Sequence, residues 1–333
     1  MTYTILGAGA LGSIIGAHLI QAGEDVTLLA RGARADHLKH HGLKITGLID
    51  LSLPCKVQTD PSQVRETDVL VVAVKTYHTV DAIQPLSQLN VGSVFSVQNG
   101  VLKNQQLIDV FGGESVLGSI GILSGELLDD GLVRFTLNQI VELGELPEGT
   151  SERTGAIVSD LNKAGINASE SASIQSVEWS KFVGWSGYAS VSVLSRQATW
   201  RFLSDEDSAL VTARVMRETA DVASALGVPI EDRAPFPSGQ VSKRTEEEAV
   251  DILQQAGETF RKNAPQHRMS TLQDVERGTR LEIEDTLGHT VREGGRLGVP
   301  VPTVDTCYRM LRSIDRLSPS NVVLSDSTPA GPE

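Results

Sequence analysis

The chain has 333 residues, of which 40% are hydrophobic, and a formal net charge of -13 at pH 7. This length allows two medium-sized cores and favours two domains over one. The acidic balance excludes a nucleic-acid-binding surface, because phosphate binding needs clustered Lys and Arg side chains that this sequence does not concentrate.

The cysteines and the N-terminal region indicate the class of protein. Cys55 and Cys307 are far apart and lack the spacing of metal ligands, so they predict neither a disulfide framework nor a metal site. The first predicted strand begins by residue 3, and no apolar stretch approaches the ~18 residues of a membrane span. We therefore expect a cytoplasmic protein with no metal and with neither a membrane nor a nucleic acid as partner.

Residues 3–29 are predicted to form one β-α-β unit around a G-x-G-x-x-G sequence. A β-type run at 3–6 precedes the glycines, a helical pattern covers 10–22, and a second β-type run covers 25–29. In such a unit the first glycine permits a tight turn, the second lets the backbone approach a pyrophosphate, and the third allows close packing. The residues predicted to bind a dinucleotide, at the helix N-terminus, are Gly7, Ala8, Gly9, Ala10, Leu11 and Gly12.

The residue that follows the second strand favours NADP over NAD. An acidic residue there usually binds the ribose 2′-hydroxyl of NAD, whereas this chain has Arg31. A guanidinium matches a 2′-phosphate in charge and in its forked donors. The alternative is that Arg31 stacks on the adenine or lies in solvent. His37, His40 and His41 follow on a predicted short helix, either as further donors or as part of its surface.

Polar residues follow two further predicted strands. The apolar runs at 69–74 and 94–97 are typical of parallel strands buried on both faces, and they end at Lys75 and at Gln98-Asn99. Because ligands of doubly wound sheets bind beyond the carboxyl ends of the strands, we expect these side chains at the cofactor crevice. The alternatives are a solvated charge for Lys75 and an ordinary turn at Asn99.

Strands are predicted in the first half of the chain and helices in the second. The last strands and the long helices are predicted at 116–119, 132–143, 208–226, 245–260, 272–297 and 304–317. We predict an α/β Rossmann domain at 1–172, with a doubly wound, mostly parallel sheet that binds NADP. An all-helical domain at 173–317 is predicted to serve substrate binding and dimerisation, and 318–333 to be a flexible tail.

The helical half adds residues whose order matches a known family. They are Trp179-Ser180-Lys181 at the opening of one helix, the series from Ser270 to Asp274 and from Arg280 to Glu284 on another, and the Gly-Val-Pro-Val-Pro run at 298–302. With the glycine run, Arg31, Lys75 and the Gln-Asn-Gly at 98–100, this series resembles the ketopantoate reductase (2-dehydropantoate 2-reductase) family over residues 1–315. The resemblance implies NADP(H)-dependent reduction of 2-dehydropantoate to pantoate, in a cleft between a Rossmann domain and a helical domain.

The resemblance also implies roles for individual residues. It makes Lys181 the general acid, lets Glu282 and Ser270 bind or orient the substrate, with Glu282 also near the cofactor, and puts Lys75 and Asn99 on the cofactor and substrate side. These residue types suit ketone reduction, because hydride addition leaves negative charge on an oxygen that a cationic donor can protonate. The alternatives are a surface lysine at Lys181 and an exposed helix acid at Glu282.

Three positions on the substrate side depart from the family pattern. Family members that reduce ketopantoate have asparagines four and eight residues after the lysine and three residues before the serine, where this chain has Trp185, Ala189 and His267. Loss of these amides would leave a polar oxo acid poorly paired, so Trp185 favours a bulkier, less polar substrate. The alternatives are a local shift of helix register, or compensation by Asn167, Ser186, Ser190, Ser192 or Ser195.

Three functions remain open from the sequence. The first is ketopantoate-reductase-like reduction of a 2-oxo acid or related ketone, and the second is a dehydrogenase on the same scaffold for a bulkier or less polar oxo or hydroxy acid. Trp185 and His267 favour the second. The third is a non-catalytic NADP-binding regulator, against which the presence of Lys181 and Glu282 counts. The expected partner is a small-molecule oxo acid, and a homodimer is compatible with a sequence that does not determine the oligomeric state.

Overall fold

The computed structural model describes residues 1–318, and the chain divides into two compact units, the first covering Met1–Glu178 and the second beginning at Trp179. Beyond Ser318, the predicted tail at 318–333 lies outside the described residues. No helix in the described part of the chain is long and apolar enough to span a membrane.

The first unit alternates strands and helices. In chain order they are β1 (Thr2–Leu6), α1 (Ala10–Gln21), β2 (Asp25–Leu29), α2 (Gly32–His41), β3 (Leu43–Gly47), β4 (Leu51–Leu53), β5 (Lys56–Gln58), β6 (Glu66–Val72), α3 (Thr79–Ile83), β7 (Asn90–Ser96), α4 (Leu102–Phe111), β8 (Leu117–Leu127), β9 (Val133–Glu145), α5 (Glu152–Lys163) and β10 (Ala168–Glu170). The strands predicted on either side of the glycine run, and the helix between them, are confirmed.

A five-stranded parallel sheet has the order β5-β2-β1-β6-β7. The central strand β1 pairs on both sides, since Thr4 lies opposite Thr27 of β2 and Leu70 of β6. Chain order therefore reverses beside β1, as in the predicted doubly wound sheet. Apolar residues cover both faces: Ile5 packs with α1 in one core cluster, and Leu70 packs with α4 in another.

A second, mixed sheet was not predicted. Its order is β10-β9-β3-β4, and β8 pairs antiparallel with β9. The strands predicted at 116–119 and 132–143 are the two arms of this hairpin, and the first is longer than predicted. Because β3, β4 and β10 have only three to five residues each, alternation of apolar and polar residues does not distinguish them from loops.

The second unit contains helices and no strand as far as Ser318. The helices are α6 (Ile174–Ser195), whose first turn belongs to the first unit, α7 (Thr199–Ser204), α8 (Glu206–Ala225), α9 (Ser238–Lys243), α10 (Glu246–Asn263), α11 (Ser270–Glu276), α12 (Leu287–Leu297) and α13 (Pro302–Arg316). Helices predicted at 208–226, 245–260 and 304–317 are confirmed as α8, α10 and α13.

Two predicted helix bounds in this half are wrong. The helix predicted at 272–297 is two helices, because Gly278 has a φ of +65° and interrupts it after α11. The helix predicted to open at Trp179 begins earlier, at Ile174. Ile174 and Val177 are buried against Ile120 of β8, and this apolar contact stabilises the first turn.

Candidate cofactor and catalytic sites

The three glycines of the loop between β1 and α1 differ in the space that surrounds them. Gly7 has a φ of +104°, and a Cβ there would lie 2.8 Å from the backbone nitrogen of Val74. A Cβ on Gly12 would lie 2.0 Å from the carbonyl oxygen of Gly7. Around Gly9, in contrast, no described atom outside its chain neighbours lies within 4 Å of an added Cβ. Gly7 and Gly12 therefore serve the packing of the loop, whereas Gly9 leaves open space.

The N-terminus of α1 begins at this open space. Gly9 is its N-cap residue, and no side chain caps it with a hydrogen bond. The first amide that donates inside the helix is that of Ser13, to the carbonyl oxygen of Gly9 at 3.0 Å. The preceding amides of the first turn and the positive end of the helix dipole favour an anionic group such as a pyrophosphate.

Arg34 on α2 holds the glycine loop in place. Its Nε donates to the carbonyl oxygen of Ala8 at 2.8 Å, its Nη2 to Oγ of Ser13 at 2.9 Å, and its Nη1 to the carbonyl oxygen of Gly131 at 2.9 Å. Burial lowers the pKa of this guanidinium. Sequence reasoning did not find this role, because two of the three acceptors are backbone atoms that no motif marks.

Arg31 is exposed at the N-cap of α2, directly beyond β2. Its carbonyl oxygen accepts from the amide of Ala35, but its guanidinium forms no hydrogen bond or ion pair within the described part of the chain and is available to a ligand. The three histidines lie on α2, as predicted. His40 and His41 are exposed, whereas the His37 ring lies against Gly131, and burial lowers the pKa of His37.

Lys75 and Asn99 follow β6 and β7, which are neighbouring parallel strands. Parallel pairing brings their carboxyl ends to the same edge of the sheet as the glycine loop, which follows β1. Both residues are half-buried. The structure therefore places the predicted strand-end residues of the first unit at one edge.

The side chain of Gln98, the neighbour of Asn99, forms hydrogen bonds with residues of the surrounding loops. Its Nε2 donates to the carbonyl oxygen of Val74 at 2.8 Å and to Oγ1 of Thr79 at 2.7 Å, and its Oε1 accepts from Oγ of Ser96 at 2.7 Å. The amide thus joins the loops that follow β6 and β7. Its side chain positions these loops, and its predicted contact with a cofactor remains a prediction.

Lys181, Trp185 and Ala189 lie on one face of α6, because residues four apart fall on the same side of a helix. The helix is continuous from Ile174 to Ser195, so no local shift of register separates them. Lys181 is half-buried, whereas Trp185 and Ala189 are 5% and 1% exposed. The Trp185 ring stacks on Phe182, with ring centroids 6.3 Å apart.

The polar residues considered as substitutes for the missing amides already use their donors. The hydroxyls of four serines on α6 donate to carbonyl oxygens three or four residues earlier on the same helix; they are Ser186, Ser190, Ser192 and Ser195. Asn167 lies before β10, and its Nδ2 donates to the carbonyl oxygen of Asn138 at 2.7 Å. These hydrogen bonds do not support compensation by the five residues.

Glu282 lies in the segment between α11 and α12, not on an exposed helix face, and it is 9% exposed. Helix α13 holds this segment on both sides of Glu282. The amide of Leu281 donates to Oδ1 of Asp315 at 2.8 Å, and Oε2 of Glu284 accepts from the hydroxyl of Tyr308 at 2.7 Å. The burial excludes the interpretation of Glu282 as an ordinary surface acid.

His267 lies just before α11, and Ser270 is the first residue of this helix. Ser270 is exposed. His267 is half-buried: its Nδ1 lies 2.8 Å from Oγ1 of Thr199, and its carbonyl oxygen accepts from the Thr199 amide at 3.0 Å. Burial lowers the pKa of His267, which favours the neutral ring at pH 7. The side chain and the backbone of His267 therefore both contact α7.

Two family models match the chain. Ketopantoate reductase PanE/ApbA matches residues 3–148, and the C-terminal model of ketopantoate reductase PanE/ApbA matches residues 173–315. The chain belongs to the ketopantoate reductase family. The family assignment confirms the resemblance drawn from the ordered motifs, and it makes the chain a member of an enzyme family.

Curated relatives and solved structures are similar to this protein over nearly the whole chain. The 2-dehydropantoate 2-reductase of Mesorhizobium japonicum is 29% identical, over 94% of this chain and 98% of that protein. The structure of a PanE/ApbA family ketopantoate reductase from Ralstonia eutropha superposes with a TM-score of 0.80 at 26% identity, covering 95% and 98% of the two chains. A D-mandelate dehydrogenase solved with NADH and anilino(oxo)acetate, 20% identical with a TM-score of 0.81 over 95% and 98% of the chains, shares the fold.

Proposed function

We propose that the chain catalyses NADPH-dependent reduction of a 2-oxo acid, or a related ketone, to the hydroxy compound. The observation that carries the proposal is the open N-terminus of α1 at Gly9, together with an exposed Arg31 beyond the next strand. The first suits a pyrophosphate, and the second suits a 2′-phosphate. The family relationship supports the same reaction, since the relative from Mesorhizobium japonicum is named a 2-dehydropantoate 2-reductase.

The open space at Gly9 and the free first turn of α1 support binding of NADPH by residues of the first unit. Backbone amides of residues 10–12 would hold the pyrophosphate, and Arg31 would hold the 2′-phosphate. Lys75 and Asn99, at the same sheet edge, would line the nicotinamide side. Bound NADPH supplies a hydride to the carbonyl carbon of the substrate.

The residues of the second unit would supply the proton and hold the substrate. Lys181, as the ammonium, donates a proton to the carbonyl oxygen as negative charge develops there, so that the products are the alcohol and NADP⁺. Glu282 accepts a hydrogen bond from the lysine or from a substrate hydroxyl, and Ser270 binds or orients the substrate. A homodimer and a cytoplasmic location belong to the same proposal, and sedimentation equilibrium of the purified chain tests the homodimer.

The substrate is proposed to be bulkier or less polar than ketopantoate. Trp185 and Ala189, on the Lys181 face of α6, offer no amide, and His267 already bonds to Thr199. Each unpaired polar contact in a closed site costs about 1–3 kcal/mol, so loss of two or three reduces efficiency by orders of magnitude. The buried aromatic pair of Trp185 and Phe182 favours an apolar substituent next to the keto group.

A panel assay that follows NADPH oxidation tests both parts of the proposal. We expect kcat/KM for ketopantoate below ~10⁴ M⁻¹s⁻¹ and a higher value for a branched or aromatic 2-oxo acid such as phenylglyoxylate. Turnover of none of these ketones would reject the reductase function. Turnover of ketopantoate above that value would reject only the substrate assignment.

A designed pair of substitutions tests whether α6 selects the substrate. Trp185→Asn combined with Ala189→Asn is expected to raise kcat/KM for ketopantoate about tenfold or more, because two lost amide contacts are restored. The preferred oxo acid should lose efficiency in the same variant. Leu194→Asn, on the same helix but away from this face, is the matched control and should change neither value. An unchanged preference in the double variant would remove α6 from substrate selection.

A further inference from the structure

An ion pair between Lys103 and Glu178 is almost completely buried, with each side chain 2% exposed. Oε1 of Glu178 accepts from Nζ of Lys103 and from the backbone amide of Ser119, the latter at 2.8 Å. Its Oε2 accepts from Nδ2 of Asn104 at 2.6 Å, and Oδ1 of Asn104 accepts from Nζ of Lys103 at 3.2 Å. Both carboxylate oxygens are therefore held, by donors from two different elements, α4 and β8.

The pair joins two segments that carry proposed site residues. Lys103 is in the first turn of α4, which follows the loop of Asn99. Glu178 is in α6, three residues before Lys181, and the first unit ends directly after it. Three residues correspond to a rise of about 4.5 Å along a helix, so a constraint at Glu178 acts on Lys181 within one helical turn.

Stability alone does not account for a buried charge pair at this place. Replacement of such a pair by apolar residues is often neutral or stabilising, because desolvation of both charges offsets their attraction. The first turn of α6 already has an apolar anchor, since Ile174 and Val177 pack with Ile120. A Cβ on Gly118 of β8 would lie 2.7 Å from Cγ2 of Ile174, so the helix sits directly on the strand. Directed hydrogen bonds add what apolar contacts lack, a fixed rotation about the helix axis.

We propose that Glu178 and Lys103 are positioning residues. They fix the rotation of α6 about its own axis and its position along that axis, so that Lys181 is oriented for proton transfer. The proposal rests on the function proposed for Lys181. The pair contacts neither the glycine loop nor Arg31 through any hydrogen bond described for it, so it should act on the chemical step and leave the contacts proposed for the pyrophosphate and the 2′-phosphate intact.

The test compares kinetics and stability of the full-length enzyme. In Glu178→Gln and in Lys103→Met, we expect kcat per folded enzyme to fall about 10- to 100-fold, because misplacement of a catalytic group by about 1 Å has effects of that size. KM for NADPH should change less than about twofold, and the primary isotope effect on kcat with 4-deuterated NADPH should rise as hydride transfer becomes slower. The double variant, Lys103→Met with Glu178→Met, should recover thermal stability but not kcat.

Two further variants keep the test decisive. Asn104→Ala removes two hydrogen bonds, one to Glu178 and one from Lys103, while the charges stay paired, and it should lower kcat several-fold even if the single charge variants do not fold. Arg153→Met breaks the ion pair of Arg153 with Glu145, which lies in the same unit on α5 and β9, and is the control. It should lower stability and leave kcat and the isotope effect unchanged.

The outcomes separate this proposal from the proposed function. Unchanged kcat and isotope effect in the charge variants and in Asn104→Ala, or full kcat in the double variant, would overturn the positioning role. If those variants retain kcat while Lys181→Ala loses it, only the positioning role fails. If Lys181→Ala itself retains kcat, the proposed role of Lys181 fails, and the positioning role fails with it.

Discussion

The two units present their candidate groups by different physical means. In the α/β unit the groups are largely backbone amides at the start of α1 and residues at parallel strand ends, and glycines and strand pairing set their positions. In the helical unit they are side chains on α6 and on the segment before α12. Lys181, Trp185 and Glu282 depend on helix packing and on a segment held by α13.

This difference predicts which contacts a change of sequence would remove. A backbone amide survives substitution of the residue that carries it, whereas a side-chain contact is lost when one residue changes. The three positions at which the sequence analysis predicts a departure from the family pattern all belong to the helical unit; they are Trp185, Ala189 and His267. We infer that cofactor binding in this scaffold tolerates sequence change and that substrate choice does not.

The largest expected effect is a loss of kcat, and it comes from a substitution in the helical unit. Lys181→Ala should lower kcat by about 10²-fold or more, because general acid catalysis contributes on that scale, while the Kd of NADPH stays near the wild-type value. Steady-state kinetics and NADPH titration measure the two quantities. Lys262→Ala, which removes an exposed lysine paired with Glu258, is the control. A variant that keeps more than about half of the wild-type kcat would exclude Lys181 as the acid.

The next largest expected effect is on the preference for NADPH, and it comes from a substitution in the α/β unit. Arg31→Ala should lower kcat/KM for NADPH by a factor of about 10 to 100, since loss of a charge-assisted contact with a phosphate costs roughly 1.5–3 kcal/mol. Efficiency with NADH should barely change, because NADH has no 2′-phosphate. Lys39→Ala, on an exposed position of the same helix, controls for net charge. Equal efficiency of the wild type with both cofactors would contradict the preference for NADPH.

Local pattern was enough to predict the parts of the fold that carry the cofactor site. The β1-α1-β2 unit was predicted almost to the residue, because its strands, glycines and helix are contiguous. The second sheet was missed, because strands of three to five residues pair with partners far along the chain. The break of the helix predicted at 272–297 had a local cause in Gly278, which a stricter use of helix-stop residues would have found.

The positions of candidate site residues were predictable where the strand pattern alone determines them. Arg31, Lys75 and Asn99 follow strands and could be placed from the strand pattern. Arg34 could not, because its acceptors include the carbonyl oxygens of Ala8 and Gly131. The ion pair of Lys103 and Glu178 joins residues 75 positions apart, and only tertiary structure brings them together.

A pair of glycine substitutions separates the loop's packing from its binding. Gly12→Ala should destabilise the protein by about 1–3 kcal/mol, because its Cβ would overlap the carbonyl oxygen of Gly7 and force the backbone to shift. Gly9→Ala has room for its Cβ and a φ of -72°, so in the free protein it should cost about 1 kcal/mol or less, the preference of an N-cap for glycine over alanine.

Cofactor affinity should show the opposite contrast for Gly9. A Cβ there would occupy the space proposed for the pyrophosphate and raise the Kd of NADPH about tenfold or more. Thermal unfolding with and without NADPH measures stability and binding together. A Gly9→Ala protein that binds NADPH as tightly as wild type would place the pyrophosphate elsewhere.

The smallest effects compare helix caps, one in each unit. Ser151 caps α5 and Thr245 caps α10, each through a reciprocal capping box. Replacement of either by Ala should cost about 1 kcal/mol. Ser151→Ala should cost more than Thr245→Ala, because the Ser151 hydroxyl also donates to Oε1 of Glu145 at 2.6 Å.

Hydrogen exchange followed by mass spectrometry shows where each cap variant loses stability. Amides at the start of α5 should exchange faster in Ser151→Ala, and those at the start of α10 in Thr245→Ala, because each cap satisfies amides of its own first turn. Thr259→Ala, on an exposed face within α10, is the control and should not speed exchange, since alanine favours the helix interior. Faster exchange across both units in either cap variant would show that their stabilities are coupled. Different effects on kcat of substitutions in the two units would then reflect the groups that contact ligand rather than independent stabilities of the units.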